Sequence, residues 1–101
     1  MDVAKYQFKE VNGFILRLLL HQGFDYTNDR IVDAYLKERQ ISCVLRSVQD
    51  HFLYLAGKGK EYIEVKHIQI DENQMAAKLT PRGVDLLYGV IDDDPGISID
   101  H

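Results

Sequence analysis

Arg46, Ser47, Gln49 and Asp50 fall within five positions of one another and combine side chains that can read nucleic-acid base edges. A guanidinium grips guanine bidentately and a carboxamide grips adenine, each good pair being worth about 1–3 kcal/mol of discrimination. Four cations, Lys58, Lys60, Lys66 and Arg39, follow or precede this cluster and are candidates for phosphate contacts. Both sets have an ordinary alternative, a solvated helix face in one case and cations complementing a helix C-terminus in the other.

Other chemistries find little support. Gly57-Lys58-Gly59-Lys60 lacks the spacing of a phosphate-binding loop and follows a helical segment instead of opening one. His21, His51, His67 and His101 are scattered and Cys43 has no companion cysteine, so neither a metal site nor a cofactor is expected. No nucleophile stands at a readable spacing from a base and an orienting group, and no catalytic residue is assigned. The single cysteine and the lack of a signal-like opening predict a cytoplasmic protein. The longest apolar run, Phe14 to Leu20, is broken by Arg17 and is too short to cross a bilayer.

Charge is unevenly distributed. The chain carries a net charge of −4, but 12 basic residues face 11 acidic ones from Met1 to Arg82, whereas the stretch from Gly83 onward has five acids and no Lys or Arg. A nearly neutral body therefore precedes an acidic end, and a duplex partner would need the cations to gather locally.

The elements that would position these residues can be read from periodicity. Phe14, Ile15, Leu18 and Leu19 share one face of a first helix ending near Gly23. Phe24 and Tyr26 alternate around Asp25 as a very short strand, and Thr27-Asn28 caps a second helix whose buried side holds Ile31, Val32, Tyr35 and Leu36. After a break at 39–42, Leu45, Val48, Phe52 and Leu55 line a third helix up to Gly57. Tyr62 to Ile70 reads as a strand, Asp71-Glu72-Asn73-Gln74 as a polar turn, and Met75 to Leu79 as the returning strand. Thr80-Pro81 then opens a last helix reaching about Ile91.

This order predicts an α+β domain over 1–91, a winged helix-turn-helix with about four helices, a two-stranded wing hairpin and a short third strand. Residues 92–101 are expected to form an acidic tail, loosely held and available to a protein partner, because Asp92-Asp93-Asp94 repel and Pro95-Gly96 stops the helix. In such a fold the third helix would enter the major groove. Val84, Leu87, Tyr88 and Ile91 form an apolar stripe suited to a homodimer or to packing on the first helix.

From Asn12 to Ile97 the sequence resembles small winged-helix proteins of Mu-like bacteriophages, of the kind described as ArsR-type. The resemblance rests on Ile15-Leu16-Arg17-Leu18-Leu19, Asn28, Leu36, Val48, Phe52, Tyr54-Leu55-Ala56 and Gly59, and most specifically on Leu79-Thr80-Pro81-Arg82-Gly83-Val84-Asp85 with Gly89 and Pro95-Gly96. It implies a transcriptional regulator that binds double-stranded DNA. The alternative is a phage-type protein-interaction module on a winged-helix scaffold that does not bind DNA, favoured by the net acidity, by an acidic wing tip and by Leu45 at the groove end of the third helix.

Overall fold

The structure, a computed structural model, describes residues 3–23, 25–68 and 70–99, with only the backbone of residues 71 and 72. The elements are α1 (Val3–His21), β1 (Thr27–Asn28), α2 (Asp29–Glu38), α3 (Val48–Ala56), β2 (Ile63–Ile68), β3 (Asp71–Leu79) and α4 (Pro81–Leu87). Four helices and a three-stranded antiparallel sheet in the order β1-β3-β2 make an α+β architecture.

α1 starts earlier than the apolar periodicity implies and supplies the spine of the core through Val11, Ile15, Leu16 and Leu19, all fully buried. Val32 and Leu36 from α2, Phe52 and Leu55 from α3 and Leu86 from α4 close on it. Such i, i+3, i+4 spacing gives each helix one buried stripe. Phe24, assigned from sequence to the short strand, lies outside the described residues. The strand itself is Thr27–Asn28, paired with Ala77 and Ala76, and the Asn28 side chain accepts from the Arg30 N–H at 2.8 Å to cap α2.

α3 is shorter than expected. Residues 42–47 are bends and extended chain, so the helix opens at Val48 and Leu45 sits half-buried ahead of it. The hairpin is also redrawn. β2 and β3 pair from Ile63↔Leu79 to His67↔Met75, after which the register slips and Ile68 faces Asp71. The expected turn at Asp71-Glu72-Asn73-Gln74 thus belongs to an irregular β3, and Ile70, just before it, is almost fully exposed.

The last helix stops at Leu87 instead of Ile91, with Gly89 taking a positive φ of 74° just beyond it. At its start the Thr80 hydroxyl accepts from the Gly83 N–H at 3.2 Å. Gly83 has a packing reason: a Cβ there would meet the Tyr62 carbonyl oxygen at 2.3 Å.

The expectation of a loosely held tail is overturned up to Ile99. Ile97 is buried in the core, the Ser98 N–H donates to the Lys9 carbonyl at 3.0 Å, and the Ser98 carbonyl accepts from Arg17 at 3.2 Å. The segment runs so close to α1 that a Cβ on Gly13 would meet the Ser98 oxygen at 2.1 Å. Repulsion within 92–94 is offset because Asp94 turns inward to a cation of its own.

Candidate nucleic-acid interface

Arg46 and Ser47 precede α3 instead of standing on it. Ser47 is the extended N-cap, with no side-chain capping bond, and Arg46 has a side chain 93% exposed that meets Asp50 at 3.3 Å, one turn on. Gln49 is committed: its amide donates to Asp29 Oδ2 at 2.7 Å and to the Asn73 carbonyl, bolting α3 to α2 and to the wing. Asp29 is buried to 9% exposure, and its Oδ1 has no partner among the described residues. Of the four base-contact candidates, Ser47 and Arg46 stand ahead of the helix, the latter paired with the carboxylate of Asp50, and Gln49 is a bolt.

Between Val48 and Ala56 there is no Lys or Arg, and the most exposed large apolar side chain of α3 is Leu53. A duplex presents about one negative charge per 1.7 Å of axis. The element that would enter its groove brings Asp50 and no cation.

Three of the four phosphate candidates are engaged with different parts of the fold. Lys60 donates to Asp94 Oδ2 at 3.0 Å and lies 4.6 Å over the Tyr54 ring. Burial works against its charge, but the bonds to Asp94 and Tyr54 prevail and hold its pKa above the ordinary value. Lys66 lies 4.1 Å over the Tyr26 ring, and Arg39 stands 5.9 Å over Phe14 of α1. Lys58 is exposed beside Gly59.

Asp94 also accepts from the Tyr62 hydroxyl at 2.9 Å and the Gly96 N–H at 2.8 Å. Burial pushes its carboxyl up, yet Gly96, Lys60 and Tyr62 together bring it below its ordinary value. Burial and the neighbouring Asp94 raise the Tyr62 phenol in turn. The sequence reading missed this anchor; an aspartate directly before Pro95-Gly96, able to bond the backbone two residues on, was the available signal.

A second network was equally hidden. His51 is fully buried: its Nε2 accepts from the Leu45 N–H at 3.3 Å, so Nδ1 carries the proton and donates to Asn12 Oδ1 at 2.9 Å. Asn12 passes its own N–H to the Gly96 carbonyl at 3.0 Å. Burial lowers the His51 pKa to about 4, against a smaller opposing pull from Asp50, which keeps the ring neutral. The histidine is structural, linking the α3 approach to α1 and the tail.

The dimer candidates are divided. Val84, Leu87 and Ile91 are half-buried against the core, and Ile91 lies beyond the helix, leaving Tyr88 as the exposed member at 68%. Burial and then Asp33 raise the half-buried Cys43 thiol, leaving it protonated near neutrality. Among the described residues no cluster of His, Cys, Asp or Glu can hold a metal ion, and no helix is long and apolar enough to cross a membrane. Comparisons with protein-family models, curated proteins and solved structures find no match to this chain.

Proposed function

We propose that this chain is a winged-helix domain of the phage type that serves as a protein-interaction module and does not read DNA with its third helix. Support for the scaffold comes from the element order and from the β1-β3-β2 sheet, against which all four helices pack. A single observation carries the functional part: the α3 edge is closed, with Gln49 tied to Asp29 and Asn73, Arg46 facing Asp50, and no cation from Val48 to Ala56. Fold alone does not decide between the two uses.

The test is fluorescence anisotropy with labelled double-stranded DNA between about 50 and 200 mM salt. The expected result is no binding tighter than about 10⁻⁴ M even at the low end, the weak limit of non-specific association. Salt-sensitive micromolar binding would overturn the reading. DNA recognition remains the second reading because Arg46 is held only by an exposed pair of the kind worth about 0.2–1 kcal/mol. Under it, Arg46→Ala would weaken binding by about 1–3 kcal/mol, whereas under the leading reading that substitution changes nothing.

A further inference from the structure

A groove of about 420 Å³ opens between α1 and the C-terminal end of α2. Phe14, Leu18 and Tyr35 give it an apolar floor, and Arg17, Arg39 and His21 stand around it with Gln22. No carboxylate lines it among the described residues, although the chain as a whole is acidic. Its two guanidiniums are also set apart from the ion pairs of the protein. Lys37, Arg46, Lys60 and Lys78 each meet an aspartate or glutamate, whereas among the described residues neither Arg17 nor Arg39 does. Arg39 stands instead over Phe14, and Arg17 spends one N–H on the Ser98 carbonyl. Ile31, 48% exposed, lies one helical turn before Tyr35, which is 38% exposed, and extends the apolar strip along α2.

We propose that this groove is the docking surface of the module and that its partner is an acidic peptide segment carrying an aromatic or aliphatic anchor. The inference rests on the protein-interaction reading and names the site and partner chemistry for it. Charge complementarity selects the occupant: two guanidiniums, each with a planar fork matched to carboxylate, border an apolar floor of side-chain dimensions. An anchor side chain covers Phe14, Leu18 and Tyr35 while flanking carboxylates reach Arg17 and Arg39. A duplex is a poorer fit, because it presents a convex line of phosphates to what is here a concave groove with an apolar floor and only two guanidiniums.

The experiment uses the full chain, isotope-labelled for amide NMR, and a short peptide alternating glutamate with phenylalanine. Its amide shifts should cluster at Phe14, Leu18, Tyr35 and Arg39, and weaken as salt rises. Arg39→Glu and Tyr35→Ala, at positions open enough to leave folding intact, should each reduce the affinity about tenfold. A peptide with lysine in place of glutamate should bind no better than the charge-reversed variant does. Unchanged affinity in Arg39→Glu, shifts mapping elsewhere, or equal binding of the lysine peptide would overturn the proposal. DNA added in a separate arm distinguishes the failures: shifts at α3 and the wing sink the protein-interaction reading, while shifts at Arg17 and Arg39 alone reassign the groove to phosphate. If neither probe binds, the groove assignment fails and the closed α3 edge stands.

Discussion

Asp94→Ala should destabilise the protein by about 3 kcal/mol. The carboxylate is 9% exposed and accepts three hydrogen bonds, from Lys60 Nζ, the Tyr62 hydroxyl and the Gly96 N–H. A bond to a charged partner is worth about 1.5–3 kcal/mol and a neutral one about 1 kcal/mol, but these do not add fully, and Lys60, with a side chain 24% exposed, recovers some hydration when its partner is removed. At about 2.1 cal/mol/K per residue, the 101 residues give an unfolding entropy near 0.21 kcal/mol/K, so about 3 kcal/mol lowers Tm by about 14 °C. Asp94→Asn keeps an acceptor for Gly96 but loses both the charge and the Oδ2 acceptor that face Lys60 and Tyr62, so it should recover only the Gly96 bond and lose about 2 kcal/mol.

The pH dependence follows from the lowered carboxyl of the native state. A depressed carboxylate stabilises fully above its unfolded value of about 3.9, and that stabilisation fades as pH falls through the folded value. The gap between wild type and Asp94→Asn should therefore hold from neutrality to about pH 4 and close below it. Urea unfolding of the three proteins at neutral and acidic pH reads both effects. A loss under about 1 kcal/mol in Asp94→Ala, or equal losses in the two variants, would refute the argument that this ion pair fastens the tail.

Two further outcomes are expected. His51, lowered to about 4 in the folded state against about 6.5 unfolded, must gain a proton on unfolding, so stability should decline as pH drops from about 6.5 toward 4. His51→Asn should flatten that decline at a cost in stability at neutral pH, and parallel urea midpoints across the range would exclude the buried neutral ring. Gly13→Ala should release the C-terminal segment from α1, because the new methyl would press the Ser98 carbonyl, while helix propensity gains up to about 1 kcal/mol. Limited proteolysis should then cut after Ile91 much faster than in wild type, and equal rates would count against the close approach.

Much of the architecture is legible in the order of residues because burial periodicity is a local property. Val48, Phe52 and Leu55 recur at helical spacing, Asn28 and Thr80 mark helix starts, and Gly23 and Gly89 mark stops, each through a bond or dihedral within a few positions. Boundaries were less secure where tertiary pairing outweighs local preference. The turn expected at 71–74 became strand because the register of β3 shifts between its pairs at Met75 and Asp71, and no alternation of side chains announces such a shift.

The composition and element order by themselves determined an α+β domain built from four helices and a small antiparallel sheet, with its acidity concentrated after Gly83. What only the tertiary structure decided is which polar side chains remain available to a partner. Gln49 met Asp29 and Asn73, Lys60 met Asp94, and His51 met Asn12, over separations of 20 or more residues. Arg17 and Arg39, on different helices, were brought to one groove. A side chain's charge and shape are set by its identity, whereas its partner is set by how distant segments pack, and that packing is what closed the α3 edge and opened the groove between α1 and α2.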